Sequence, residues 1–308
     1  MMIAFVIGVA GCAWSNVPID EANFPDAEFR RYISEKLDPN NDGILTEEEI
    51  ANVKSISNGD YVIGWGYFDN GYGILSLKGL ETFTALEELV MRGFNTKLTE
   101  LDVSKNTALI NLDCSGNKLT ILDVSNNTDL RYLRCGENLI TKLDISNIQS
   151  NADVYCDSME SLTEIKATNA TLSYLDCHGC SLVSLDLANA KVGMLICSDN
   201  ELTYLDVCGI EDEPYNTLDC DNNRLTELRV SNLYALQCRN NQLTKLDCSD
   251  CPELAILWCD NNKLSFLNVS NCSSLWSLIC DSNYLSELDV SNNQYLIRFI
   301  GSHVMTTC

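Results

Sequence analysis

From Leu109 onward the apolar positions of this chain return in one pattern, Leu109-x-x-Leu112-x-Cys114-x-x-Asn117-x-Leu119, followed by Leu122-Asp123-Val124-Ser125-x-Asn127. The third residue of each Leu-x-Cys triplet (Val-x-Cys at Val154) is Cys114, Cys135, Cys156, Cys177, Cys197, Cys220, Cys238, Cys259 and Cys280, in steps of 21, 21, 21, 20, 23, 18, 21 and 21 residues. Self-similarity at this period predicts a solenoid of stacked coils. Alternation in Leu-x-Cys predicts a short strand with Leu and Cys inside, and alternation in Leu122-Asp123-Val124 predicts a second strand on the opposite face with Asp outside. Each coil offers about five inward apolar residues worth ~1.5–3 kcal/mol apiece, against ~1–2 kcal/mol of backbone ordering for every residue it contains. One coil therefore cannot fold alone, and the strands must line up as a parallel sheet over a shared core.

The LxxLxLxxNxL core of these units, with Cys in a Leu position, resembles the leucine-rich-repeat family over roughly residues 77 to 300. The resemblance implies a right-handed, mainly β coil in which Asn117, Asn138, Asn200, Asn223, Asn241, Asn262 and Asn283 form a ladder at the bend after the first strand. Met159 and Cys180 break that column, and an extra residue precedes Leu162, so the coil around Cys156 is predicted to be irregular. Met91 takes the cysteine position in the first coil, and Ser55 to Tyr72 reads as an irregular join.

Ahead of the repeats, Phe29, Tyr32, Ile33 and Leu37 trace one helical face, and a second helix is predicted from about Thr46 to Lys54. Between them, Asp38 to Glu49 fits the calcium loop of an EF-hand. Asp38, Asn40 and Asp42 supply side-chain oxygens, Gly43 allows the turn, Ile44 offers its carbonyl, Thr46 acts through a water, and Glu49 is the bidentate ligand. Calcium is the one cofactor predicted, with weak, ~millimolar affinity. The competing reading is a lid in which Asp-Gly only makes the turn. A helical EF-hand-like cap followed by such repeats is similar to the internalins, bacterial surface proteins whose cap is generally regarded as structural.

Charge and cysteine usage narrow the function. A net charge of −24 repels phosphate backbones and anionic lipid, so nucleic acid is not an expected partner. The apolar start ends in Val9-Ala10-Gly11-Cys12, which looks like a lipobox and predicts lipidation at Cys12; an accidental apolar terminus is the alternative. The run is too short to span a bilayer, which needs ~20 residues, so contact with a membrane would come only through that lipid. The layout is then a lipoprotein-type signal at 1–12, a linker at 13–23, the cap at 24–55, repeats at 56–300 and a tail at 301–308. In-register coils lie ~4.8 Å apart while a disulfide wants Cβ atoms at ~3.8 Å, so the column reads as buried free thiols. Cys251 and Cys272, in consecutive coils, are the pair best placed for a bond.

Constellations for catalysis are weak. Cys177-His178-Gly179-Cys180 and Cys248-Ser249-Asp250-Cys251 do not converge in the repeat register, and neither His178 nor His303 has an orienting partner that the sequence can show. The recurring Asp102, Asp123, Asp144, Asp186, Asp206, Asp247 and Asp289 read as a solvated face. No enzymatic activity is predicted. Binding is expected on the concave face of the main sheet, where Tyr132, Arg134, Tyr155, Tyr174 and Asp176 form one group and Ile256, Trp258 and Ile279 another. Aromatic residues also simply suit sheet positions, which is the competing account of both groups. The expected role is adhesion or recognition outside a bacterial cell, toward a protein or glycan. A spacer that displays another domain is the alternative; a glycan-active or thiol-dependent enzyme is a third reading. At the far end, Ile297, Phe299, Ile300 and Val304 are expected to leave a core edge open.

Overall fold

The computed structural model describes residues 16–62, 66–69, 73–93, 97–208, 216–301 and 305–307. The lipobox with Cys12, together with His303, Val304 and Cys308, lies outside the described residues. Helix α1 spans Ala27–Lys36 and α2 spans Glu47–Asn52. Asp26 caps α1 by accepting from the Phe29 amide with one oxygen, and its other oxygen accepts from the Leu75 and Ser76 amides of the first coil. A capping box of Thr46 and Glu49 starts α2. Phe24, Phe29 and Phe83 are fully buried, with Phe24 stacked on Phe83 and edge-on to Phe29, so the cap seals the apolar end of the solenoid.

Twelve strands form the main sheet, all parallel, one from each coil. The sheet opens earlier than the repeat pattern predicts. Ser55–Ser57 pairs with Glu88–Val90, and Gly59–Val62 forms an antiparallel hairpin with Gly66–Asp69, so much of the expected irregular join is strand. Ser55–Ser57 lacks the Leu-x-Cys pattern; it pairs because Ile56 fills the first inward position and is fully buried.

All nine column cysteines are fully buried and free, and Met91 occupies the same position in the second coil. Two residues after the cysteine the chain turns through the left-handed region in coil after coil, at Gly116, Glu137, Ser158, Gly179, Asp199, Asn222, Asn240, Asn261 and Ser282. The ladder asparagine follows directly. Asn138 accepts from the Leu119 amide at 3.0 Å and donates to the carbonyls of Cys114, Cys135 and Gly136 at 2.9, 2.9 and 3.2 Å. One side chain thereby satisfies buried groups of two coils, which would otherwise cost about 1–3 kcal/mol each.

Where asparagine is missing, a thiol does part of its work. Cys180 Sγ donates to the Cys156 carbonyl at 3.4 Å, the bond that Asn138 makes to Cys114. A second ladder, on the opposite side of the core, repeats the substitution: Asn127 donates to Val103, Asn293 to Val269, and Cys272 Sγ to Cys248 at 3.2 Å. Cys251 and Cys272 are both free. The expected irregularity near Cys156 takes the form of a register shift between Ala152 and Asp153 against strand Thr171–Asp176.

The predicted back strand starts one coil later than Leu122–Val124, at Lys142–Asp144. Its Asp column is more than a solvated face. The Oδ1 atoms of Asp102, Asp123, Asp144, Asp186, Asp206, Asp247 and Asp289 each accept the backbone amide two residues on, closing the turn that ends the strand. Lys166 and Arg229 interrupt the column, and each pairs with the aspartate one coil earlier, Asp144 at 3.2 Å and Asp206 at 3.0 Å.

Candidate ligand-binding face

The bonds that close each coil leave alternate residues of the main-sheet strands pointing outward. Tyr132 and Arg134 flank inward Leu133, and Asp153 and Tyr155 flank inward Val154. Tyr132, Asp153 and Tyr174 share one register row, while Arg134, Tyr155 and Asp176 share the next. Tyr155 therefore sits diagonally between the other two tyrosines, with ring centroids 5.4 Å from Tyr132 and 5.1 Å from Tyr174. The Arg134 guanidinium lies 5.0 Å from the Tyr155 centroid, within cation–π range. Partial burial pushes the phenol pKa of Tyr132, Tyr155 and Tyr174 up, so all three stay neutral hydroxyls.

Asp176 is set deeper than a free ligand contact. It is nearly buried; its Oδ1 lies 2.7 Å from His178 Nδ1, and its Oδ2 accepts from the Tyr174 hydroxyl at 3.1 Å. The carboxylate holds the imidazole protonated to higher pH than usual, helped by Asp157 and Asp199 on neighbouring coils. His178 thus has the orienting partner that sequence reasoning missed; the Asp-x-His spacing on one strand face was the available signal. The nearby thiol does not complete the pair. Cys180 points at backbone carbonyls, and burial pushes its thiol up to about 11.

The second group is also assembled. Trp258 and Ile279 are register neighbours, and Ile256 lies two residues back on the strand of Trp258. Arg239 and Arg298 lie 4.9 and 5.9 Å from the Trp258 ring, and Arg239 is tied to Asp221 at 2.6 Å. Strands Lys191–Ile196, Thr217–Asp219 and Ala235–Gln237 separate the two groups, a gap of ~19 Å at ~4.8 Å per strand. Ile297, Phe299 and Ile300 are exposed at the last strand of the sheet.

In the cap, the Asp38 carboxylate is almost fully buried. Its Oδ2 accepts from the Gly43 amide, and its Oδ1 has no hydrogen-bond partner. Asn40 and Asp42 each accept a backbone amide within the loop. Glu49 Oε2 takes both the amide and the hydroxyl of Thr46. Among the described residues no three His, Cys, Asp or Glu side chains converge on one point, so an ion held here would depend on Asn40 and backbone carbonyls as well.

No protein-family model matches this chain, and no curated protein matches it. Solved structures do. The chain is similar to the functional domain of InlJ from Listeria monocytogenes, described as including a cysteine ladder, with a TM-score of 0.60 and 30% identity over 94% of this chain and 62% of that one. It is also similar to the internalin InlF from L. monocytogenes (TM-score 0.51, 20% identity, 97% and 95% of the two chains) and to the leucine-rich-repeat domain of APL1 (0.53, 21%, 72% and 60%). The last two likenesses are of fold. The chain spans about three-fifths of the length of the InlJ domain it matches. With its helical cap, its single parallel sheet and its repeating Leu, Cys and Asn columns, the chain is an internalin-like leucine-rich-repeat solenoid.

Proposed function

We propose that this solenoid is an extracellular recognition module of a bacterial cell surface, which binds a macromolecular partner through the concave face of its main sheet. The observation that carries this reading is the tyrosine triad. Three consecutive coils place Tyr132, Tyr155 and Tyr174 in one cluster of tilted rings beside Arg134, on a chain of net charge −24. Large, half-buried aromatic rings with two rotatable bonds lose little freedom on binding, and Tyr, Trp and Arg dominate interface energetics. Asp176 serves as a positioning group that fixes Tyr174 and His178. Trp258 with Ile256 and Ile279 is the secondary anchor. A protein partner suits this design, as in the leucine-rich-repeat complex of LRIM1 and APL1C. A lipid at Cys12 would tether the module to its own cell. The test is retention of a partner from host and microbial surface extracts on immobilised chain. The triple variant Tyr132→Ala, Tyr155→Ala, Tyr174→Ala should lose the partner, and a variant that still holds it would favour a spacer.

A second reading concerns the cap. The partnerless, buried Oδ1 of Asp38 favours a bound cation over a bare turn, because an unpaired buried carboxylate oxygen is costly. Asp38, Asn40, Asp42 and the Ile44 carbonyl would hold calcium, with Glu49 contributing the oxygen that Thr46 does not use. Calcium would supply charge neutralisation that locks the loop against the first coil. Calorimetry with calcium should show weak binding that Asp38→Ala abolishes, and no heat from the unaltered chain would end this reading.

A further inference from the structure

A cavity of about 390 Å³ opens beside the tyrosine triad, at the bend of the early coils. That volume is within the ~300–1,000 Å³ of small-molecule sites. Part of its floor is bare backbone, because Gly93 and Gly116 take the same turn position in consecutive coils and Gly136 comes one residue before that position in the third. Close packing enforces two of them. A Cβ on Gly93 would fall on the Gly116 carbonyl, and one on Gly136 would come within 2.7 Å of the Asp157 carbonyl.

The rim is unusual for a chain of net charge −24. Lys97 donates to the Gly93 carbonyl at 2.9 Å and Arg134 rests on Tyr155; neither has a carboxylate partner among the described residues. Glu137 and Asp157 line the same cavity. Lys97 and Arg134 thus share one cavity with two carboxylates, beside Arg92, which is paired with Asp113 at 2.6 Å.

We infer that this cavity binds an acidic sugar residue, and this rests on the concave face being the ligand surface. One carboxylate on the sugar meets Arg134 and Lys97 through charge-assisted hydrogen bonds, while its hydroxyls donate to Glu137 and Asp157. The neighbouring Tyr132 and Tyr155 rings offer an apolar wall to a sugar face. A polyacidic peptide matches the cations equally well but is repelled by Glu137, Asp157 and the field of the whole chain. A neutral sugar leaves both cations without a partner. A carboxylate surrounded by hydroxyls satisfies both halves of the rim.

The experiment measures binding of sialyllactose and of a hyaluronan tetrasaccharide to the full chain, against lactose, chitotetraose and a hexaglutamate peptide. The acidic sugars should bind at least about tenfold more tightly than the others, and Arg134→Ala should reduce their affinity by about ten- to a hundredfold. Gly116→Asn is a second variant that keeps the fold. Asn already occupies this left-handed position at Asn222, Asn240 and Asn261, and a Cβ at Gly116 meets nothing closer than 3.6 Å. It should fill the cavity and abolish sugar binding with an unchanged melting temperature. Absence of binding by either acidic sugar, equal binding of neutral sugars, or preference for hexaglutamate overturns the assignment. Loss of the sugar assignment with retention of a tyrosine-dependent partner leaves the binding face standing; sugar binding with a tyrosine-independent partner does the reverse.

Discussion

Coils whose bend carries asparagine differ from the two coils around Met159 and Cys180 in how the same turn is held. At Asn138 or Asn241 one amide makes four hydrogen bonds across two coils, accepting one and donating to three carbonyls, whereas Cys180 has a single weak S–H shared between two carbonyls and Met159 has no polar hydrogen to donate. The weakly laddered coils carry Tyr155, Tyr174, Asp176 and His178, and they also contain the register shift. The regular repeat is relaxed where the surface groups become unusual. Such coincidence of broken local rules with a candidate site is expected when function competes with ideal structure.

The largest effect should come from removing the strong form of the turn. Asn138→Ala leaves the Leu119 amide and the Cys135 carbonyl unsatisfied, while the Cys114 and Gly136 carbonyls keep Asn117 and the Gly116 amide, and should cost about 3 kcal/mol in urea unfolding. Loss below about 1 kcal/mol would erase the contrast between the two kinds of coil. Next comes the column behind the turn. Cys135→Ser buries a hydroxyl where a thiol acts as a small hydrophobe and should cost about 1–2 kcal/mol, while the same change at exposed Cys208 should be near neutral. Repairing the weak coil gives a smaller change of opposite sign. Cys180→Asn, facing the carbonyls of Cys156 and His178, should stabilise by about 1 kcal/mol without altering neighbouring coils.

Acid sensitivity on the back of the solenoid should be smallest per residue. Hydrogen bonds from Ser104 and Ser125 hold the carboxyls of Asp102 and Asp123 below the usual range, and the Ala188 amide does the same for Asp186. Folding therefore favours their ionised forms. Their contribution is fully present above the unfolded value of ~3.9 and is lost as pH falls through the lower folded values. Melting temperature followed from pH 6 to pH 3 should fall most steeply below about pH 4, and Asp123→Asn should flatten that slope slightly.

Much of this architecture was legible in the sequence because a solenoid repeats its core. Leu133, Cys135 and Asn138 declare their places through the period alone. The opening strand at Ser55–Ser57 was not legible, since a single occurrence of Ile56 carries no period. The turn-closing role of the Asp column was hidden for another reason: an outward side chain that bonds its own backbone has the same pattern as one that only meets water. The candidate face was half legible. Register arithmetic brought Tyr132, Tyr155 and Tyr174 together, but the Asp176–His178 pair and the cation-rimmed cavity depend on side-chain direction and on what lies one coil away.

The most direct test of the account is partner affinity, measured on the folded fraction of Asn138→Ala and Tyr155→Ala side by side. Asn138→Ala should lose stability and keep affinity, while Tyr155→Ala should keep stability and lose at least about tenfold in affinity. Unchanged affinity in Tyr155→Ala, or equal loss in both variants, would contradict it.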